Sequence, residues 1–151
     1  LRACLFLTAR ERSAVLEIKK QLDLTREEYH RLRERRIEFT TIFDSGYPER
    51  LRKLPGMPLG LFVKGKLPED GRPSAAIIGA RGCSYYGREE ARYIARELSR
   101  AGVQIVSGLA VGIDGAGHIG ALEAGQETYG VLGCGIEISD CLNGWSGRED
   151  L

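Results

Sequence analysis

Three glycine-rich stretches hold the residues whose types and spacing could do chemistry: G-A-R-G-C-S-Y-Y-G from Gly79 to Gly87, S-G-L-A-V-G-I-D from Ser107 to Asp114, and G-C-G-I-E from Gly133 to Glu137. Glycine lets backbone N–H groups come close to a phosphate and point at it, and an arginine guanidinium can clamp two phosphate oxygens at once. Arg81 lies in the first stretch and Arg88 just beyond it. Arg81 can equally form an ordinary surface ion pair. Asp114 can cap the free N–H groups of a helix start or touch a ligand, and both readings stay open. His118, one helical turn later, reads as a packing partner that hydrogen-bonds Asp114, not as a catalyst.

Directly after the second stretch comes a literal G-x-G-x-x-G string at Gly115, Gly117 and Gly120. A dinucleotide fingerprint must follow a strand directly and open the helix. Here the strand ends at Ser107, and Gly115 falls inside the helical pattern, so the match is coincidental. Each interior glycine costs a helix about 1 kcal/mol relative to alanine, which points to close packing against a strand or to a flexible first turn. Gly108 and Gly112, between strand and helix, are the glycines placed to shape a binding loop.

The elements that must position these loops alternate regularly. S-A-A-I-I-G-A, from Ser74, is a short apolar run of the fully buried kind. G-R-E-E-A-R-Y-I-A-R-E-L-S-R-A-G places Ala91, Ile94, Ala95 and Leu98 at helical spacing and closes on Gly102. V-Q-I-V-S is a second strand, I-D-G-A-G-H-I-G-A-L-E-A-G a second helix ending at Gly125, and E-T-Y-G-V-L-G a third strand. This order predicts a parallel α/β unit of the Rossmann type, with the three loops gathered at the carboxyl ends of the strands. Residues 74–151 read as the first half of such a core, incomplete at its carboxyl end. Residues 37–73 hold all five prolines and two strands, I-E-F-T-T-I-F and L-G-L-F-V-K-G, and read as a connector that buries Tyr47, Leu51, Leu54, Leu61, Phe62 and Val63. Residues 1–36 read as a small helical remnant, with Thr25 and Glu28 spaced as a capping box.

Composition fits a globular chain: 42% of the 151 residues are hydrophobic and 28% charged. No run approaches the roughly 18 apolar residues of a membrane helix. No membrane contact is therefore expected, and the expected location is the cytoplasm. Cys4, Cys83, Cys134 and Cys141 have no C-x-x-C spacing, so four free thiols are expected, and with only His30 and His118 beside them neither a metal nor a cofactor is. Residues 1–73 carry 16 Lys+Arg against 11 Asp+Glu, and residues 74–151 carry 6 against 10. The basic front half suits a polyanion or, more plainly, a solvated helix surface. The start on Leu1 and the ending in N-G-W-S-G-R-E-D-L read as a piece of a longer protein.

The string from Ala75 to Glu137 resembles the core of the DNA-processing protein A family, also called Smf. The residues that carry the likeness are Gly79-Ala-Arg81, Ser84-Tyr-Tyr86-Gly87, Ser107 to Asp114, Gly117-His118-Ile-Gly120-Ala-Leu122 and Thr128 to Gly135, led by the upstream G-Y-P-E-R-L and L-F-V-K-G. Position 111, often basic in the family, is Val111 here. The resemblance covers residues 37 to 138. It implies a non-enzymatic role: binding and protecting single-stranded DNA during natural transformation and helping to load the RecA recombinase. It points to Arg81 as the principal DNA contact and implies that the Ser107–Asp114 loop lines the same pocket; the DNA- or phosphate-binding residues expected with Arg81 are Gly79, Ser84, Tyr86, Gly87, Ser107, Gly108, Gly112, Asp114, Gly133 and Gly135. It implies RecA as a partner and a homodimer in intact members, which a chain ending here is not expected to form well; weak DNA binding by this chain alone is expected for the same reason. The alternative is a nucleotide-binding enzyme similar to the lysine-decarboxylase-like phosphoribohydrolases, for which only Glu123 and Glu137 are carboxylates near the right face. A plain mononucleotide-binding module is a third.

Overall fold

A computed structural model describes residues 8–136. The chain divides into two compact units, Leu1–Glu38 and Phe39–Leu151.

The first unit contains α1 (Ala9–Lys20) and α2 (Leu22–Glu34). The capping box lies at the start of α1: Thr8 Oγ1 accepts the Glu11 N–H at 3.3 Å, and the Glu11 carboxylate accepts the Thr8 N–H at 2.6 Å. Those bonds hold the Glu11 carboxyl below the usual range. The box expected at Thr25 is absent because Thr25 lies within α2, where its hydroxyl donates back to the Gln21 carbonyl at 3.0 Å. An S/T-x-x-E spacing works as a cap only where the preceding turn is not already helical.

In the connector, β1 (Ile37–Thr41) and β2 (Gly60–Lys64) form a two-stranded sheet, with α3 (Glu49–Arg52) between them in sequence. Tyr47 is buried and donates its hydroxyl proton to the Pro58 carbonyl at 2.6 Å. Leu51, Leu61 and Val63 are half-buried, whereas Leu54 and Phe62 are exposed, contrary to expectation. Successive strand residues face opposite ways, and a two-stranded sheet covers little on its second face. Phe62 there packs against Phe39, with ring centroids 4.8 Å apart.

The core sheet is parallel in the order β3 (Ser74–Ala76), β4 (Gln104–Ser107), β5 (Thr128–Gly130), with α4 (Tyr85–Arg100) and α5 (Ile113–Glu123) as crossovers. Two successive right-handed crossovers in one direction put both helices on the same face. Ala95 of α4, Ile105 of β4 and Ala121 of α5 are fully buried there, joined by Ala75, Ile77 and Leu98. The helical glycines serve packing. A methyl at Gly117 would press on Ile77 at 2.7 Å, and one at Gly120 would collide with the Arg92 carbonyl of α4.

The Rossmann-like α/β prediction therefore matches the structure, while the first strand departs from it in burial. Ala76 and Ile78 are exposed, Ile78 by 71%. β3 is an edge of the described sheet, and alternate side chains point to the face opposite the two helices. Among the described residues no helix is long and apolar enough to cross a membrane. Cys83 is a free thiol but Cys134 is disulfide-bonded, so four free thiols are not what the structure holds.

Candidate functional site

The ends of β3 and β4 are stapled by one side chain. Asp114, in the first turn of α5, accepts the Gly79 N–H at 3.2 Å through Oδ1 and the Gly108 N–H at 3.1 Å through Oδ2. Its carboxylate is 7% exposed. It does not cap α5, whose N-cap is Gly112 without a side-chain cap; each carboxylate oxygen instead accepts a loop backbone N–H. The amides of Gly79 and Gly108 are likewise taken up, so these glycines shape the loops instead of presenting donors.

Gly112 lets the first loop dock. Its φ of 90° lies in the left-handed half of backbone space, and a Cβ there would collide with the Ala80 and Arg81 carbonyl oxygens. With that space open, the Ile113 N–H donates to the Ala80 carbonyl at 3.3 Å. Leu109, with φ 56°, takes a conformation that non-glycine residues avoid, and its side chain lies where a Cβ on Gly130 would be. Leu109 thereby ties the second loop to β5. The sequence signal for this pairing is the glycine at the end of a β-branched and aromatic strand, which marks a close approach.

The remaining expected residues sort by exposure. Ser107 is 3% exposed; its hydroxyl donates to the Ile77 carbonyl and its own carbonyl accepts the Val131 N–H at 2.8 Å, joining all three strands. Ser84 is the N-cap of α4 and accepts the Gly87 N–H at 3.1 Å. Gly87 sits over Ile113, 3.6 Å from Cδ1 if it carried a Cβ, so the first turns of α4 and α5 abut. Tyr86 is 73% exposed. Gly133 and Gly135 are exposed in the segment after β5. Arg81 is exposed and, among the described residues, makes no ion pair or side-chain hydrogen bond. Within the same limit nothing accepts a hydrogen bond from the N–H groups of Arg81, Gly82, Ala110, Val111 or Gly112. The structure thus brings one arginine and a set of open backbone donors to the carboxyl end of the strands.

His118 does not hydrogen-bond Asp114. Its ring is fully buried in α5, with Nδ1 2.8 Å from Thr128 Oγ1, and Thr128 in turn donates to the Ile105 carbonyl at 2.9 Å. Burial pushes its pKa down to about 4, against the opposing pull of the Asp114 charge. Glu123 is bound by Arg92 and lies near Arg96, and the hydrogen bond from Arg92 holds its carboxyl below the usual range. It ties the end of α5 to α4. Glu137 lies outside the described residues. Among the described residues no group of three His, Cys, Asp or Glu is placed to hold a metal.

Sequence reasoning missed Arg50. From α3 it donates to Asp70 Oδ1 at 3.2 Å, to Ser74 Oγ, and to the Glu69, Asp70 and Arg72 carbonyls at 3.0 Å each, clamping the chain that leads into β3. Gln104, 2% exposed on β4, completes the anchor through the Glu69 N–H at 2.8 Å and the Glu69 carbonyl at 2.9 Å.

This architecture is that of a Rossmann-like α/β protein with glycine-rich loops at the carboxyl ends of its strands. The family model described as DNA recombination-mediator protein A matches residues 38–142, and the chain belongs to that family. It is 39% identical over 98 residues to the DNA processing protein DprA of Streptococcus pneumoniae, covering 65% of this chain and 34% of that protein. It is 36% identical over 107 residues to DprA of Bacillus subtilis, with 70% and 36% covered, and 39% identical over 90 residues to the Protein Smf of Escherichia coli, with 60% and 24% covered. The X-ray structure of DprA from Streptococcus pneumoniae superimposes with a TM-score of 0.63 at 34% identity, over 75% of this chain and 38% of that one. The chain thus spans about a third of the length of the first two relatives and of that structure, and a quarter of the third.

Proposed function

We propose that this chain is the part of a DNA recombination mediator that holds single-stranded DNA by its phosphates, acting in the cytoplasm in natural transformation, where the whole protein shields the strand and helps RecA to load. The observation that carries the reading is Arg81: exposed, without an ion-pair partner among the described residues, and set beside open backbone N–H groups on a loop that Asp114 and Gly112 fix in place. A guanidinium and oriented amides at the carboxyl end of a parallel sheet suit phosphate oxygens. The reading is of a binding protein and not an enzyme, as the family to which the chain belongs suggests; in the first two loops the carboxylate, Asp114, accepts two backbone hydrogen bonds and so serves to hold the loops. The role with RecA rests on the family to which the chain belongs.

Fluorescence anisotropy with labelled single- and double-stranded oligonucleotides across a salt series tests this. Binding is expected to be weak, to favour the single strand, and to fall steeply with salt, with Arg81→Ala lowering both the affinity and the salt slope. Equal binding by Arg81→Ala and the unmodified chain would remove Arg81 from the site.

A further inference from the structure

We infer that Tyr85 and Tyr86 form a stacking platform for the bases of the strand whose phosphates lie on Arg81 and the loop amides, an inference that rests on the single-stranded DNA reading above. Their rings are 79% and 73% exposed, against 43% for Tyr29 and 53% for Tyr93, while Tyr47 and Tyr129 are buried. An apolar ring face in water is unfavourable, and two neighbouring rings so exposed, four and five positions after an arginine that makes no ion pair among the described residues, offer what a single strand needs: π-faces at the same end of the sheet as a phosphate contact.

Their position follows from the loop geometry. The Ser84 cap fixes the first turn of α4, Gly87 lays that turn against Ile113, and the Ile113 N–H holds Ala80, the neighbour of Arg81. Tyr85, Tyr86 and Arg81 therefore share one end of the sheet with the 108–112 loop. Consecutive helical residues point about 100° apart, so the two rings receive different bases. Charge sets the limits of the patch. Arg88 is exposed one turn on, whereas Glu90, exposed on the Tyr86 face, repels phosphate, and Glu89 on the Tyr85 face is ion-paired with Arg92 at 3.9 Å, which favours the strand over the first turn. Stacking on aromatic side chains is indifferent to base identity, so the platform implies binding without sequence preference.

The test compares an oligothymidylate with an abasic strand of the same length and phosphate count. The unmodified chain should prefer the oligothymidylate by roughly tenfold per stacked base. Tyr85→Ala/Tyr86→Ala should lose that preference and bind both strands as the unmodified chain binds the abasic one, while Tyr85→Phe/Tyr86→Phe should keep it. Both side chains are exposed, and an unchanged thermal melt would show that the alanine variant folds. Equal affinity of the unmodified chain for the two strands, or a preference that survives in the alanine variant, overturns the platform and leaves phosphate binding standing. No binding of either strand overturns the underlying reading and the platform with it.

Discussion

Asp114 Oδ2 accepts the Gly108 N–H at 3.1 Å, and a methyl group on Gly108 would sit 2.8 Å from that same oxygen. The residue that ends one loop thus requires a glycine near its beginning, and its second oxygen reaches across to Gly79 in the loop that follows β3. A buried carboxylate is stable only when hydrogen bonds replace its water, and here two strand-end amides do so. The loops after β3 and β4 are consequently held by α5 itself.

Asp114→Asn tests that staple. The amide has one acceptor oxygen and turns an NH₂ group toward a backbone N–H, leaving two donors facing each other. The expected cost is about 2–3 kcal/mol of stability, read as a lower urea midpoint at unchanged slope. A midpoint equal to that of the unmodified chain would mean the loops do not depend on this carboxylate.

Gly112→Ala should be far worse than Gly82→Ala. The first adds a methyl against the Ala80 and Arg81 carbonyls at a positive φ, whereas at Gly82 no heavy atom lies within 4 Å of the added carbon. Backbone cannot swing aside as a side chain can, so about 2–3 kcal/mol is expected for Gly112→Ala and under about 0.5 for Gly82→Ala. Thermal melts of the two variants side by side decide this, and similar melting temperatures would contradict the docking of the first loop on Gly112.

Arg50→Ala should loosen the lead into β3. Three carbonyls lose a charged donor at once, but they lie near the surface, where water substitutes in part. About 2 kcal/mol of destabilisation is expected, with new protease cleavage between Lys66 and Arg72. A cleavage pattern identical to that of the unmodified chain would show that the segment is held without Arg50.

Much of this was legible in the sequence, and the exceptions have physical causes. Strand-helix alternation and the capping glycines are local properties, so the order of elements and the ends of α4 and α5 at Gly102 and Gly125 could be read directly. The position of Gly115 inside a helix was legible for the same reason. Roles decided by long-range contacts were not. Nothing local in I-D-G says that Asp114 will reach back to Gly79, 35 positions earlier, or that Arg50 will close over residues 69–74. The exposure of Ile78 likewise depends on which sheet face the helices leave bare, which apolarity alone does not encode.

His118 makes stability depend on acidity in a definite window. Burial lowers its pKa from 6.5 to about 4, so between those values the unfolded chain binds a proton at this position that the folded chain refuses. Stability should therefore be level above pH 7 and fall as pH drops from 6.5 toward 4, by about 3 kcal/mol in total. Carboxylates held below their usual range, such as Glu123, also cost stability in acid, but only below their unfolded values of 4.5 for Glu and 3.8 for Asp. The interval from pH 6.5 to 4.5 thus isolates the histidine. His118→Gln keeps a polar group toward Thr128 without a titrating ring, and its urea midpoint should lie lower at neutral pH yet stay nearly flat across that interval. A slope there as steep as that of the unmodified chain would assign the acid sensitivity to another group.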